Sequence, residues 1–377
     1  MFIKNAESQA ILRYNVLWIK SPGIISNTIE TKVEIMAGIT IVEIAKRCGV
    51  GVSTVSRAMN DHSDINPETK KRILEVIKET GYVPNNNARN LKRTDAKCIA
   101  VLVKGITNPF FTPMIKIAEE ETEARKYALV LRHVEAYEDE VDVALELEKE
   151  KRLRGIVFMG GSSQHSSEKV KKLNVPVVVA TIGSDISEKL SKKEYSTVSV
   201  DDFNESKKMV EYLIGLGHKK IAILSEGNDK PSIVKLRLEG YLEALKENNI
   251  KVDDNLIRCV DQRIYSMENG YETTKALIES GEEFTALYCI SDVLAVGALR
   301  AFADAGIKVP EDVSVAGFDG QDMARFCIPR LTTLRQPIED ISRKTMKLIF
   351  DIIDGESGHK HITFPGDLIV GESTGKV

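Results

Sequence analysis

The sequence predicts an α/β chain: two parallel-sheet units forming a large core, preceded by a small all-α module. Three observations predict it. Short apolar runs alternate with amphipathic helical stretches from residue 98 onward. Three short helical patterns, punctuated by turn residues, occupy residues 40–80. The charge divides at the same place. Residues 36–95 carry ten Lys and Arg against seven Asp and Glu, and residues 1–35 four against three. Residues 96–377 therefore hold a net of −8 in a chain whose total is −4. A small basic module on a larger acidic body points to a nucleic-acid contact at one end.

The 377 residues suffice for two or three domains. Hydrophobic content of 42% and charged content of 29% suit a soluble globular chain. The stretch "AILRYNVLWI" is interrupted by Arg13 and Asn15 and lacks a cleavage pattern, so neither a signal peptide nor a membrane span is expected. Five scattered Cys without a C-x-x-C argue against disulfides or zinc and for the reducing cytoplasm. Residues 1–35 hold the only Trp, Trp18, and show no sustained period. "KVEI", just before Met36, can be encoded by a purine-rich run like a ribosome-binding site. Met36 is thus the expected start, and 1–35 a non-native or disordered extension.

Residues 36–83 read as one module. In "TIVEIAKRCG", Thr40 with Glu43 three residues on makes a capping box. Ile41, Ile44, Ala45 and Cys48 form an inner face, and Gly49 supplies a left-handed turn. A second helix covers Val52 to Met59, with positions 52, 53, 56, 57 and 60 on one side and Val55 and Met59 on the other. Asn66 caps a third helix, Pro67 opens it, Ile73, Leu74 and Ile77 form its buried stripe, and Gly81 ends it. This is a helix-turn-helix whose second helix fits the DNA major groove. On it Arg57 can fork onto guanine, Ser53 can bond a base edge, and Val52 suits a thymine methyl. Thr40, Thr54 and Ser56 are placed for phosphates, and Asn60 and Tyr82 complete the expected DNA-facing set.

The stretches "TIVEIAKRCGVGVSTVSRAMN" and "NPETKKRILEVIKETGYVPNNNARNLK" resemble the DNA-binding headpiece of the lactose/galactose-repressor (LacI/GalR) family of bacterial transcription factors. The resemblance runs from Ile39 to the C-terminus. It implies a hinge helix within a linker at 84–95, with Asn85, Arg89 and Lys92 at the DNA and Leu91 inserted between base pairs in the minor groove. Physical argument agrees: so short a segment, with three consecutive Asn, is too weak a helix to stand alone. It should order only on DNA beside its dimer mate, where an apolar wedge flanked by cations can kink the duplex. Gly51 stands where many members have Ser, which removes one capping or phosphate contact.

Residues 96–377 read as the core. "CIAVLV", "ALVL", "GIVFM", "VPVVVA", "STVSV", "KKIAIL", "FTALYCI" and "VSVAGF" are its strand candidates, grouped as roughly 97–180 and 183–335. The resemblance implies a two-lobe, periplasmic-binding-protein-like core with a ligand cleft. The helix from Glu339 to Ile353 is expected to return to the first lobe, and the strands His361–Phe364 and Asp367–Val370 to the second. That gives lobe 1 about 97–180 and 337–359, and lobe 2 about 183–335 and 362–377.

Ligands of open α/β sheets sit beyond the carboxyl ends of strands. The loops there offer Asn108, Phe110 and Phe111 in "ITNPFF", and two glycines in "MGG". The resemblance adds Arg237, Tyr265 as an aromatic platform, Ser291 where relatives often have Asn, and Asp319 as the ligand-binding acid. Arg, Asp and an aromatic ring suit a sugar. Asp292 reads as a helix N-cap and His218 as a structural residue ending a helix.

No phosphate-binding, dinucleotide, metalloprotease or nucleophile-elbow motif occurs, and the six His do not cluster at metal spacing. No enzyme activity and no cofactor beyond a small-molecule effector are expected. The expected protein is a regulator, most simply a repressor, acting as a homodimer on a near-palindromic operator. No Leu heptad follows Phe364, so no tetramer is expected. Two alternatives stay open: a global catabolite regulator whose co-effector is a phosphocarrier protein, and a solute-binding protein without a DNA role.

Overall fold

The computed structural model describes residues 39–59, 64–80, 82, 97–135, 137–161, 167–183, 191–225, 233–260 and 266–377. The chain divides into two compact units, Met1–Thr94 and Asp95–Val377. Residues 1–35, Asn60, Gly81, Tyr265 and the hinge positions Asn85, Arg89, Leu91 and Lys92 lie outside the described residues.

In the first unit, α1 (Ile41–Cys48), α2 (Val52–Met59) and α3 (Pro67–Thr80) surround one small core. The Thr40 hydroxyl accepts from the Glu43 N–H at 3.3 Å, so α1 starts where the capping pattern puts it. Gly49 takes φ +61° and turns the chain sharply into α2. Asn66 Oδ1 accepts from the Glu68 N–H at 2.9 Å and caps α3. Ile44, Ala45, Cys48, Val55, Ala58 and Ile73 are buried together. Val55 and Met59 both face this core from α2, as expected, with Ala58 fully buried beside them. One expectation needs correction. Leu74 is 43% exposed, and the stripe on α3 is Ile73 with the half-buried Val76 and Ile77. The small core is filled by Ile73, which leaves the neighbouring position over solvent.

The second unit holds two six-stranded sheets. In chain order its first elements are β1 (Cys98–Lys104), α4 (Phe111–Ala124), β2 (Ala128–Val134), α5 (Glu140–Glu150), β3 (Leu153–Met159), α6 (Ser167–Val170), β4 (Val177–Ala180) and β5 (Ser196–Val200). Then come α7 (Asp202–Gly215), β6 (Ile221–Ser225), α8 (Ile233–Glu247), β7 (Ile257–Cys259), α9 (Met267–Glu279), β8 (Ala286–Cys289), α10 (Asp292–Asp304), β9 (Ser314–Asp319), α11 (Asp322–Phe326) and β10 (Thr332–Arg335). The last are α12 (Ile338–Ile353), β11 (His361–Phe364) and β12 (Asp367–Ile369). The first sheet runs β11-β5-β4-β3-β1-β2, all parallel, and the second β12-β10-β9-β8-β6-β7, parallel except for the β10–β12 pair. Strands such as β1 and β9 are buried along their length because helices cover both faces, which is why they read as unbroken apolar runs.

The assignment of strands to lobes differs from the expectation. β5, placed by sequence in the second unit, lies in the first sheet and pairs with β4. β11, also expected in the second lobe, pairs with β5 in the first; only β12 reaches the second sheet. The cause is a pair of long-range polar contacts. His359 Nδ1 meets the Ser196 hydroxyl at 3.0 Å, and His361 Nδ1 the Thr197 hydroxyl at 2.9 Å, which fixes β11 against β5. Helix α12 returns to the first lobe and packs on α4, β3 and β4. Gly155 permits its close approach, since a Cβ there would lie 2.8 Å from Ile349. The chain thus passes between lobes at three places: after β5, after β10 and after β11. Among the described residues no helix is long and apolar enough to cross a membrane.

The C-terminal tail is pinned to the second lobe. His218 Nε2 donates to the Gly375 carbonyl at 3.1 Å, so Nδ1 is free to accept from the Thr285 hydroxyl at 2.9 Å. Burial holds this ring below the ordinary histidine pKa. Such a ring contributes stability above about pH 6.5 that is lost as the pH falls, because only the unfolded chain takes the proton readily. The melting temperature of the wild type should therefore drop further between pH 7.5 and pH 5 than that of His218→Gln, measured by scanning calorimetry. Equal drops would dismiss His218 as a contributor.

Candidate functional site

On the headpiece, helix α2 turns Val52, Ser53 and Arg57 outward, while Thr54 and Ser56 are half-buried. Arg57 forms an ion pair with Asp64. Both side chains are half-exposed, so the pair is worth at most ~1 kcal/mol and gives way to a stronger partner. Thr40 is exposed and its hydroxyl is engaged in capping α1. Tyr82 packs against the headpiece core rather than standing free. At Gly51 an added Cβ would make only ordinary contact, 3.5 Å from the Ser53 hydroxyl, so the missing Ser side chain has room.

In the core, a polar cluster forms where the lobes meet. Arg237 on α8 is 5% exposed. Its Nε donates to Asp202 Oδ1 at 2.8 Å and its Nη1 to the Ile290 carbonyl at 2.6 Å, with Asp319 Oδ1 at 3.5 Å. The guanidinium carbon stands 3.7 Å from the centre of the Phe318 ring, a close cation–π stack. Asp319 ends β9 with φ +109°, a conformation that a non-glycine residue adopts only when its surroundings enforce it. It is held by Gln336 Nε2 at 2.9 Å on Oδ1 and by Gln321 Nε2 at 3.3 Å on Oδ2. Gln321 Nε2 also donates to Asn108 Oδ1 at 3.0 Å, and this bond joins the loop after β1 in lobe 1 to the loop after β9 in lobe 2.

Burial raises the Asp202 carboxyl to about 6 although Arg237 pulls it down. Burial raises Asp319 as well, again opposed by Arg237. Burial alone would lower Arg237, but Asp202 and then Asp319 outweigh it and keep the guanidinium charged. One cation retains its charge while two buried carboxylates compete for it.

Sequence reasoning located some of these residues and missed others. Arg237, Asp319 and Asn108 lie in one connected network. Phe110 and Phe111, expected to face the ligand, are 4% and 7% exposed within the apolar core and pack edge to face at 5.3 Å. Phe111 fills the space beside Gly160, where a Cβ would lie 2.8 Å from its ring. Ser291, expected at the ligand, is the N-cap of α10 and accepts from the Leu294 N–H. Asp292, expected as that cap, is fully buried instead, and accepts from the Thr333 hydroxyl at 2.5 Å and the Gln321 N–H at 2.7 Å. Asp202, Gln321 and Gln336 were not foreseen. Each closely follows a strand's carboxyl end or is the residue just past it, so the strand-end rule, applied to every run, would have found them.

Two family models match the chain: "Bacterial regulatory proteins, lacI family" over residues 40–85 and "Periplasmic binding protein-like domain" over 210–374. The HTH-type transcriptional regulator MalR of Clostridium butyricum is 38% identical over 88% of this chain and 98% of its own length. The HTH-type transcriptional repressor CytR of Escherichia coli K12 is 31% identical over 84% and 90%. A solved complex of the transcriptional regulator CelR with cellobiose superposes with a TM-score of 0.64 at 25% identity, covering 89% of this chain and 99% of the other. These relatives are transcriptional regulators, not enzymes.

Removing the cation while leaving its carboxylates buried should be expensive. Arg237→Met is expected to lower core stability by roughly 3–5 kcal/mol, read from the urea midpoint. A loss under about 1 kcal/mol would mean that water reaches Asp202 and Asp319 and that the charges are not buried.

Proposed function

The chain belongs to the lacI family of bacterial regulatory proteins, and from that membership we propose that a small sugar-like effector in the inter-lobe cleft sets the operator affinity of a homodimer. The chain is a DNA-binding transcriptional regulator with a helix-turn-helix headpiece and a periplasmic-binding-protein-like core. The single observation that carries the effector reading is the buried Arg237–Asp319 network with its cross-lobe arm, Gln321 to Asn108. A structural core has no use for these charges, since burying them opposes folding. The cellobiose bound by CelR fits the same chemistry.

The effector acts by population shift. It binds one arrangement of the lobes more tightly than the other, and the coupling cannot exceed that difference. Lobe movement then alters how the two hinge segments, 84–95, meet. The hinge roles of Asn85, Arg89, Leu91 and Lys92, like the groove role of Asn60 and the platform role of Tyr265, rest on the sequence alone. The five cysteines are free, in keeping with action in the cytoplasm.

Two headpieces on two half-sites require a twin subunit. Phe326 and Ile328, 77% and 94% exposed and two residues apart on lobe 2, are large apolar side chains that stand mostly clear of their own chain, with Arg325 over one face of the Phe326 ring. A second copy supplies cover. Ile328→Asp should shift the protein from dimer to monomer in sedimentation at micromolar concentration; an unchanged dimer would place the interface elsewhere.

Site selection from random duplexes should return a near-palindromic operator. Arg57→Ala should then cost ~1–3 kcal/mol on that operator and relax preference at one symmetric pair of positions. A uniform loss on all duplexes would reduce Arg57 to a phosphate contact. Should a phosphocarrier protein, and no small molecule, change operator affinity, the co-effector would be that protein.

A further inference from the structure

Helix α2 brings a single charge to its outward face. Among Val52–Met59 only Arg57 is charged. That charge is already shared: Arg57 Nη2 donates to Asp64 Oδ2, seven residues further on. Asp64 is held by the start of α3 rather than by α2. Ile65 beside it packs on the headpiece core, and Asn66 caps α3 through the Glu68 N–H at 2.9 Å. The carboxylate therefore has a fixed place next to the outward face of α2. The two side chains are 52% and 55% exposed, so a third group can still reach the guanidinium.

What that third group can be depends on its charge. The bond to Asp64 engages Nη2, and a guanidinium has donors to spare for a second, forked partner. The O6 and N7 edge of guanine is neutral, so it can share Arg57 with a carboxylate. A phosphate is an anion. It must either displace Asp64 or sit beside it, where like charges repel. Every duplex offers phosphates whatever its sequence, whereas the guanine edge is found only at particular positions. The pair thus filters what the cation of α2 can hold.

We infer that Asp64 is a specificity-determining residue: it neutralises Arg57 against phosphates while leaving it open to a base edge, so that random DNA gains little from the charge on α2. Asp64 acts through Arg57 and is a positioning residue. The inference rests on the reading of Arg57 as a base-contacting residue.

The test measures binding of the full chain by fluorescence anisotropy at several salt concentrations. The duplexes are the operator returned by site selection and a random sequence of the same length. The proteins are the wild type, Asp64→Asn, Arg57→Ala and the double variant. Asp64→Asn is a near-isosteric change at an exposed position and leaves Ile65 and Asn66 in place. It should tighten the random duplex about three- to fivefold, the worth of an exposed ion pair. It should also steepen the salt dependence on that duplex by about 0.9 in slope, as one more phosphate is neutralised. Operator binding should stay as it was, so preference for the operator falls by the same factor. In the Arg57→Ala background, Asp64→Asn should change neither the affinity for the random duplex nor its slope. An unchanged or larger preference in Asp64→Asn overturns the inference. So does a tightening that persists without Arg57, because Asp64 would then only repel the duplex on its own account. Both results leave the base-reading role of Arg57 standing. Equal losses by Arg57→Ala on operator and random duplex remove that role, and this inference with it.

Discussion

One buried guanidinium organises the lobe junction. Arg237 is charged at any accessible pH, so the fold must surround it with acceptors or lose several kcal/mol. The acceptors come from distant stretches: Asp202 at the head of α7, the Ile290 carbonyl after β8, and Asp319 at the end of β9. Asp319 meets the demand only by adopting a strained backbone conformation, and Gln321 and Gln336 then hold its carboxylate. The charge itself stays within lobe 2. Asn108 is the lobe 1 member of the described network, and its one cross-lobe hydrogen bond is weaker than the ion pairs it touches. A rigid, charged half and a lightly tethered neutral half make a cleft that can open without dismantling its recognition groups.

The two sheets share one strand order, and their fourth strands end alike. Thr181, just past β4, and Asp319, at the end of β9, both carry positive φ. In lobe 1 the strained residue brings a hydroxyl that accepts from the Gly160 N–H at 3.3 Å and serves the loop around it. In lobe 2 it brings a carboxylate to Arg237. Equivalent bends in two similar sheets have therefore been given different work, and only one of them faces the charged network.

Much of this was legible in the sequence, and the parts that were not share a cause. Caps and turns are local chemistry, so Thr40, Gly49 and Asn66 could be placed from neighbouring residues alone. Arg237 and Asp319 were legible through the family pattern. Strand membership is not local: "STVSV" reads as a strand wherever it pairs, and the side chains that fix β11 to β5 are separated from it by more than 150 residues. Ser291 and Asp292 are both good caps, and only the burial of Asp292 against Thr333 decides between them. Phe110 and Phe111 follow a strand end, as ligand residues do, but the glycine at 160 opens a space that Phe111 fills.

The late arrival of β11 has a consequence for synthesis. Strand β5 is complete once residue 200 has been made, yet the strand that lies along its outer side is 361–364. Until then a nascent lobe 1 presents β5 as a bare edge, and lacks helix α12 over β3 and β4 as well. Bare edges invite pairing with other chains. A ribosome adding ~5–20 residues per second leaves this edge uncovered for many seconds. The same topology means that no single cut yields an intact lobe, so each half of the core needs chain made on both sides of the other.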